Sequence, residues 1–309
     1  MSRAMVFPGQ GAQAVGMGRA LAEAYPVARA VFDEVDEALG QKLTALIWEG
    51  TAADLTLTAN AQPALMATSI AAMRAMQAEG VEVGSAAFVA GHSLGEYSAL
   101  CAAGVLSLSD TARLLRIRGR AMQAAVPVGV GAMAALLGLD FVVAAEVALE
   151  AAQGQVCQAA NDNDPGQVVV SGHREAVERA LEIAKAKGAK RAILLPVSAP
   201  FHCALMQPAA DEMAGALAGV VFSAPSVPVV ANVRAEAVSN PSVLRALLVE
   251  QVTGVVRWRE SVLWMAGQGV TEFWEIGAGK ALCGMIRRIV KEAECRAMGT
   301  PEDVAAVTV

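Results

Sequence analysis

The sequence predicts an α/β protein: a hydrolase-like core with a mostly parallel sheet, carrying an inserted ferredoxin-like subdomain. Three observations predict it. Short continuous apolar runs, such as Ala86-Ala87-Phe88-Val89-Ala90, alternate with helix-patterned segments, as expected of parallel strands buried on both faces. Between about residues 129 and 197 the order becomes β-α-β-β-α-β, the ferredoxin-like pattern. The 309 residues are 55% hydrophobic and only 4% aromatic, an alanine-rich composition that packs rather than one that stays disordered.

Met5-Val6-Phe7 reads as a short strand that runs into the turn Pro8-Gly9-Gln10-Gly11. Pro26 suits the first turn of a helix whose apolar face is Ala28, Val31, Phe32, Val35 and Leu39. A second helix is predicted over 63–76. The run at 86–90 is a buried strand. Gly91-His92-Ser93-Leu94-Gly95 then turns sharply into a helix of small residues over 94–103, closed by Gly104.

Residues 132–139 are strand-like and 141–152 helix-like. Strands at 156–160 and 167–171 are joined by a polar turn, Asn161-Asp162-Asn163-Asp164-Pro165-Gly166. A helix over 175–187 ends at Gly188, and 192–197 is the last strand of this set. The subdomain is therefore placed at 129–197, leaving 1–128 and 198–309 as the hydrolase-like α/β core. Beyond it, strands are predicted at 227–230 and 272–276, with helices at 204–217, 242–251 and 280–290.

Composition narrows the function classes. A formal net charge of −6 argues against nucleic acid as the main partner. No run of eighteen apolar residues is present, so no membrane span is expected. The start, Met1-Ser2-Arg3-Ala4-Met5, has neither the apolar core nor the cleavage site of a signal peptide, and a cytoplasmic protein is expected. Cysteines stand at Cys101, Cys157, Cys203, Cys283 and Cys295. Their odd number and the lack of any C-x-x-C pair predict free buried thiols, with neither disulfides nor a zinc site.

Gly91-x-Ser93-x-Gly95 matches a nucleophile elbow, in which small neighbours let the chain fold tightly and leave the serine Oγ exposed. The alternative is an ordinary glycine-rich strand-to-helix turn. A buried-strand pattern before it and a helix pattern after it favour the elbow. The N-terminal amides of that helix suit a developing oxyanion.

A serine nucleophile needs a general base. Three histidines are available: His92, His173 and His202. His92 adjoins Ser93, so its side chain should project away from Oγ. His173, after Ser171-Gly172, reads as a solvated turn residue. His202, in the loop Ser198-Ala199-Pro200-Phe201-His202-Cys203, is the favoured base. No acid has a clear claim as third member, and no later histidine completes a lipase-type order. A backbone carbonyl could orient the imidazole instead.

At Phe7-Pro8-Gly9-Gln10-Gly11, Gly91-His92-Ser93-Leu94-Gly95-Glu96 and His202, the chain resembles the malonyl-CoA:acyl carrier protein transacylases of bacterial fatty-acid synthesis. These are relatives of polyketide-synthase acyltransferase domains. The likeness extends through Arg116-Ile117-Arg118-Gly119, Gly131-Ala132-Met133-Ala134-Ala135, the stretch from Asn161 to Gly172, Gln251, and Glu275-Ile276-Gly277-Ala278-Gly279-Lys280. It implies that Ser93 takes the acyl group and His202 is its base. It also implies that the Gln251 carbonyl holds the other imidazole nitrogen, and that N–H groups of Gln10 and Leu94 form the oxyanion hole. Arg118 would clamp the malonyl carboxylate, whereas composition alone would make it a surface helix arginine. Phe201 and Leu94 resemble malonyl rather than methylmalonyl choices, although many of the fatty-acid enzymes carry serine where Phe201 stands. Met133 and Asn161, from shared motifs, are expected at the substrate.

The resemblance implies ping-pong transfer from malonyl-CoA to holo acyl carrier protein, with no metal and no redox cofactor. Coenzyme A thioester and phosphopantetheinylated carrier protein are substrates. Carrier proteins of this kind are acidic, so a basic patch is expected, with Lys187, Lys190, Arg191, Arg287 and Arg288 as candidates. A monomer is expected, with no nucleic-acid and no membrane partner. Three other readings share these residues: a serine thioesterase or hydrolase, a non-catalytic carrier-binding protein, and a stand-alone acyltransferase loading a polyketide carrier.

Overall fold

The structure, a computed structural model, describes residues 2–307. Its strands are β1 (Ser2–Phe7), β2 (Phe88–Gly91), β3 (Gly131–Leu137), β4 (Cys157–Asp164) and β5 (Gln167–His173), followed by β6 (Arg191–Leu194), β7 (Val229–Ala231), β8 (Glu236–Val238), β9 (Val270–Ile276) and β10 (Glu294–Met298). Six of them form one sheet in the order β10-β9-β1-β2-β7-β8, parallel except for β8 at one edge.

β1 shows why the core strands are continuously apolar. Met5 and Phe7 enter one buried cluster, and Ala4 and Val6 enter the cluster on the opposite face. Alternate side chains point to opposite faces, so a strand covered on both must be apolar throughout. The edge strands β8 and β10 lie outside the elements predicted from sequence. Both are short, and Glu294-Cys295-Arg296 alternates exposed and buried residues, so neither carries an apolar run.

The helix predicted over 63–76 spans Thr58–Ala78, with Pro63 inside it. Proline lacks the N–H that would reach the carbonyl four residues back. That carbonyl, on Ala59, instead accepts from Arg116 Nη1 at 2.5 Å. Arg116 lies on the helix Leu108–Ala124, which packs closely on the first: a Cβ on Gly119 would fall 2.6 Å from Ala59 Cα.

The remaining strands form an antiparallel sheet, β4-β5-β3-β6, covered by the helices Phe141–Ala152 and Arg174–Ala186. This is the ferredoxin-like order, and it has its own apolar cluster. The polar turn predicted over 161–166 is corrected: β4 runs to Asp164, and only Pro165-Gly166 turns. The four polar residues are buried because partners meet them from the core. Asp162 pairs with Arg259 at 2.8 Å, Asp164 with Arg288 at 2.7 Å, and Asn163 Oδ1 lies 2.8 Å from His92 Nε2. Asn161 bridges to Val256, where Asp162 N donates to Val256 O at 2.9 Å. This strip fastens the smaller sheet to the larger.

Two further expectations are corrected. Cys283 and Cys295 form a disulfide, because the helix Ala281–Ile289 lies against β10 and brings the two Cα atoms to 5.3 Å. Their spacing of 12 residues matches no short cysteine motif. Cys101, Cys157 and Cys203 are free. His173 is not a solvated turn residue; it ends β5 half-buried, and its Nδ1 accepts from Val156 N at 2.9 Å. Among the described residues, no helix is long and apolar enough to cross a membrane.

Candidate active site

The turn after β2 places Ser93. Its φ of +52° is unusual for a residue with a Cβ, and the surroundings hold it there. Ser93 N donates to Asn232 Oδ1 at 2.8 Å, and Gln251 Nε2 donates to Ser93 O at 3.0 Å. Asn232 Nδ2 donates back to Gly91 O at 2.7 Å. Both glycines of the motif are required by contact. A Cβ on Gly91 would fall 1.9 Å from Gly95 O, and one on Gly95 would fall 2.2 Å from Phe7 O. The helix Gly95–Ala102 follows at once.

His202 arrives from the loop after β6, also with positive φ (+58°). Its Nε2 lies 2.7 Å from Ser93 Oγ, and its Nδ1 lies 2.9 Å from the carbonyl oxygen of Gln251. A carbonyl only accepts, so Nδ1 carries the proton and Nε2 is left to accept from the serine. Burial, and then the nearby Arg118 charge, push the imidazole down to about 3. The His202 imidazole is therefore neutral at physiological pH.

Arg118 reaches the site as the resemblance implies, and is 1% exposed rather than the surface helix arginine that composition alone would make it. Its Nη2 donates to Ser93 Oγ at 3.2 Å and to Gln251 Oε1 at 2.8 Å, and its Nη1 donates to Gln62 Oε1 at 2.7 Å. One guanidinium thus lies beside the Ser93 hydroxyl, held by neutral amides. Gln62 Nε2 in turn donates to Thr58 Oγ1, and that hydroxyl donates to Gln10 Oε1, both at 3.0 Å.

These groups open on a cavity of about 540 Å³. Ser93, His202, Arg118, Gln10, Leu94, Phe201, Met133 and Asn161 all line it. Gln251, fully buried, lies behind the pair instead. The backbone N–H groups of Gln10 and Leu94 have no acceptor among the described residues. Those of His92 and Gly95 are taken by Phe7 O and His92 O. The His92 ring reaches Asn163 and packs edge-on against Trp258, away from Oγ as the tight turn predicts.

Four polar residues at the site escaped the sequence reading: Gln62, Glu96, Asn163 and Asn232. Glu96 stood inside the quoted Gly91–Glu96 motif and Asn163 inside the stretch from Asn161 to Gly172, and these two carried a usable signal. Of the basic patch, Lys187 is paired with Glu150 at 3.0 Å, Arg288 with Asp164, and Arg287 Nη2 donates to Cys295 O at 2.8 Å. Lys190 and Arg191 are exposed.

The acyl transferase domain family matches residues 4–305. The chain is 50% identical to the malonyl CoA-acyl carrier protein transacylase of Escherichia coli (strain K12) over 303 residues, 98% of this chain and 97% of that protein. Among solved structures, the acyl-carrier-protein S-malonyltransferase of Bartonella henselae is similar at 57% identity and a TM-score of 0.97, covering 99% of this chain and 98% of that one. A malonyl-transacylase in complex with a type II polyketide-synthase acyl carrier protein is similar at 44% identity and a TM-score of 0.97, covering 100% and 99%. Such agreement along the whole chain shows that it belongs to the acyl transferase domain family, among the malonyl CoA-acyl carrier protein transacylases.

Proposed function

We propose that this enzyme transfers malonyl from malonyl-CoA to the phosphopantetheine thiol of holo acyl carrier protein, through a malonyl ester on Ser93, and so supplies fatty-acid elongation. One observation carries the proposal: Ser93 Oγ lies 2.7 Å from a neutral imidazole nitrogen and 3.2 Å from a buried guanidinium. The malonyl carboxylate is separated from its thioester carbonyl by one methylene. A carboxylate on Arg118 therefore presents that carbonyl to Oγ.

In the first half-reaction His202 Nε2 takes the Ser93 proton as Oγ attacks the thioester carbonyl. The free N–H groups of Gln10 and Leu94 receive the oxyanion, each such donor being worth about 10²–10³ in rate. The intermediate collapses, the C–S bond breaks, and His202 returns its proton to the leaving thiolate. In the second half-reaction His202 takes the proton of the carrier's thiol. The thiolate attacks the ester, and Ser93 recovers its proton. The Nδ1–H bond to the Gln251 carbonyl steadies the imidazolium, in place of a triad acid.

Phe201 and Met133 form pocket walls that leave little room for a branched acyl group, and Asn161 offers a polar contact. Arg118 favours malonyl over acetyl because an unbranched apolar acyl group leaves a buried charge without its anion. The acidic carrier docks on exposed Lys190 and Arg191, with Lys187, Arg287 and Arg288 already engaged within the chain. Residues 129–197 act as a subdomain set into a core of 1–128 and 198–309; a separate sheet and separate apolar cluster support this division. A monomer is the working unit of this reading. A polyketide carrier is a second reading, favoured by the 44% identical transacylase seen with such a carrier.

The test is intact mass. Wild type mixed with malonyl-CoA should gain one malonyl unit, and Ser93→Ala none. Holo carrier protein should then take the unit up. Malonate released to water with no acceptor loaded would replace the transferase by a hydrolase. Presenting fatty-acid and polyketide carriers side by side decides between the two partners.

A further inference from the structure

Behind the nucleophile, on the first turn of the helix Gly95–Ala102, lies a carboxylate that the mechanism above leaves unused. Glu96 is 1% exposed. Its Oε2 accepts from Gln251 Nε2 at 2.8 Å and from Asn232 N at 3.1 Å, and its Oε1 has no partner. Gln251 meets Glu96 through its amide nitrogen and Arg118 through its amide oxygen. A buried acid and a buried guanidinium therefore grip opposite ends of one amide, and that amide also holds Ser93 O.

Few charges face this carboxyl. The helix carrying it packs against β1, β2, β7 and the helices Thr58–Ala78 and Leu108–Ala124. Of their groups, Arg118 acts on Glu96, and the buried Tyr97 beside it feels both. Arg74 is exposed, Arg116 is bonded to Ala59 O and Asn60, and Arg3 is paired with Glu272. On the helix Pro241–Thr253 that supplies Gln251, Arg245 turns to Val220 O and Glu250 is exposed. Glu96 is thus the internal anion of a site whose internal cation is Arg118.

We infer that Glu96 is a positioning residue and the counter-ion of Arg118 in the free enzyme, and that it takes up a proton when the malonyl carboxylate reaches Arg118. The inference rests on the malonyl reading above. A second anion beside the same buried guanidinium disfavours the charged form of the first. Glu96 is poised for the change. Burial pushes its carboxyl up to about 7, against the downward pull of the Gln251 and Asn232 hydrogen bonds and of Arg118. The protonated acid still accepts from Gln251 through one oxygen, so the frame holding Ser93 and His202 keeps its bonds while the extra charge is removed.

The proton balance makes this measurable. Loading breaks the Ser93 O–H bond and the thioester C–S bond, and forms an ester C–O bond and a thiol S–H bond. Near pH 7.5 the chemistry itself takes up no proton. A pH indicator in weak buffer, mixed with enzyme and excess malonyl-CoA, should report uptake of a large fraction of one proton per malonyl-Ser93 formed, the adduct being counted by mass. Glu96→Gln should form the adduct more slowly and take up none. Wild type that loads fully without uptake, or Glu96→Gln with unchanged uptake, overturns the inference while leaving malonyl transfer intact. Absence of any wild-type adduct removes the malonyl reading itself, and the inference with it. If Glu96→Gln does not fold, the wild-type KM decides. For malonyl-CoA it should rise above pH 7, by up to about tenfold per unit, because binding then requires a proton. For acetyl-CoA it should stay flat. Parallel behaviour of the two thioesters contradicts the role of Glu96.

Discussion

At the scale of single residues, the site depends on which groups are charged. His202 is kept neutral by burial and by Arg118, and Arg118 stays charged although burial lowers its pKa. A base already neutral does not lose function as pH falls through the ordinary imidazole range. The kcat/KM for malonyl-CoA should therefore show no acid limb near pH 6.5; a fall by half at that pH would mean an ordinary, solvated histidine. Removing the base in His202→Ala should slow adduct formation by about 10²–10⁴, read by quenched mass spectrometry. An unchanged rate would place the base elsewhere. Arg118→Lys keeps a positive charge but loses the planar fork that spans Gln62, Gln251 and Ser93, so it should recover only a small part of the activity lost in Arg118→Ala.

At the scale of elements, the elbow works because β2 and the helix after it touch with no room for side chains. Gly95→Ala sets a methyl against the Phe7 carbonyl and should lower the melting temperature and abolish adduct formation together. A stable, fully active Gly95→Ala would show that the close approach is dispensable. Central strands and the elbow were readable in the chain because local pattern dictates them: β1 and β2 are apolar on both faces, and the motif glycines sit where backbones meet. The strip over 161–164 was not readable. Its polar residues are strand residues only because Arg259, Arg288 and His92 meet them from 71 to 124 positions away. Arg118 was opaque for the same reason, since Gln62 and Gln251 lie 56 and 133 positions from it. Ser93 and His202 emerged from the elbow pattern and from the scarcity of histidine. Gln251 came only with the family resemblance, and the supporting amides Gln62 and Asn232, being common residues in no special spacing, did not emerge at all.

At the scale of the whole molecule, stability carries the signature of the same buried groups. His202 has its folded pKa depressed, so its contribution is present above about 6.5 and is lost as pH falls towards 3. Glu96 has its folded pKa raised, so its contribution is present below about 4.5 and is lost as pH rises through 7. Melting of His202→Ala should therefore improve relative to wild type as pH falls from 7 to 4; a constant difference would rule out the buried neutral imidazole. The Cys283–Cys295 bond closes a short loop at the C-terminal edge of the sheet, worth about 3 kcal/mol in the chain-entropy account. Reductant should lower the melting temperature by a few degrees in wild type and leave Cys295→Ser unmoved.

Selection of a carboxylate-bearing acyl group by a guanidinium 3.2 Å from Ser93 Oγ can be read in a single competition. The most direct measurement mixes wild type, and separately Arg118→Ala, with equal malonyl-CoA and acetyl-CoA for one turnover. The two serine adducts are then weighed in a single mass spectrum. Malonyl should dominate on wild type, and the malonyl-to-acetyl ratio should be lower by about 10² or more on the variant, from loss of a buried charge pair. An unchanged ratio on Arg118→Ala, with the adduct still on Ser93, would contradict that selection.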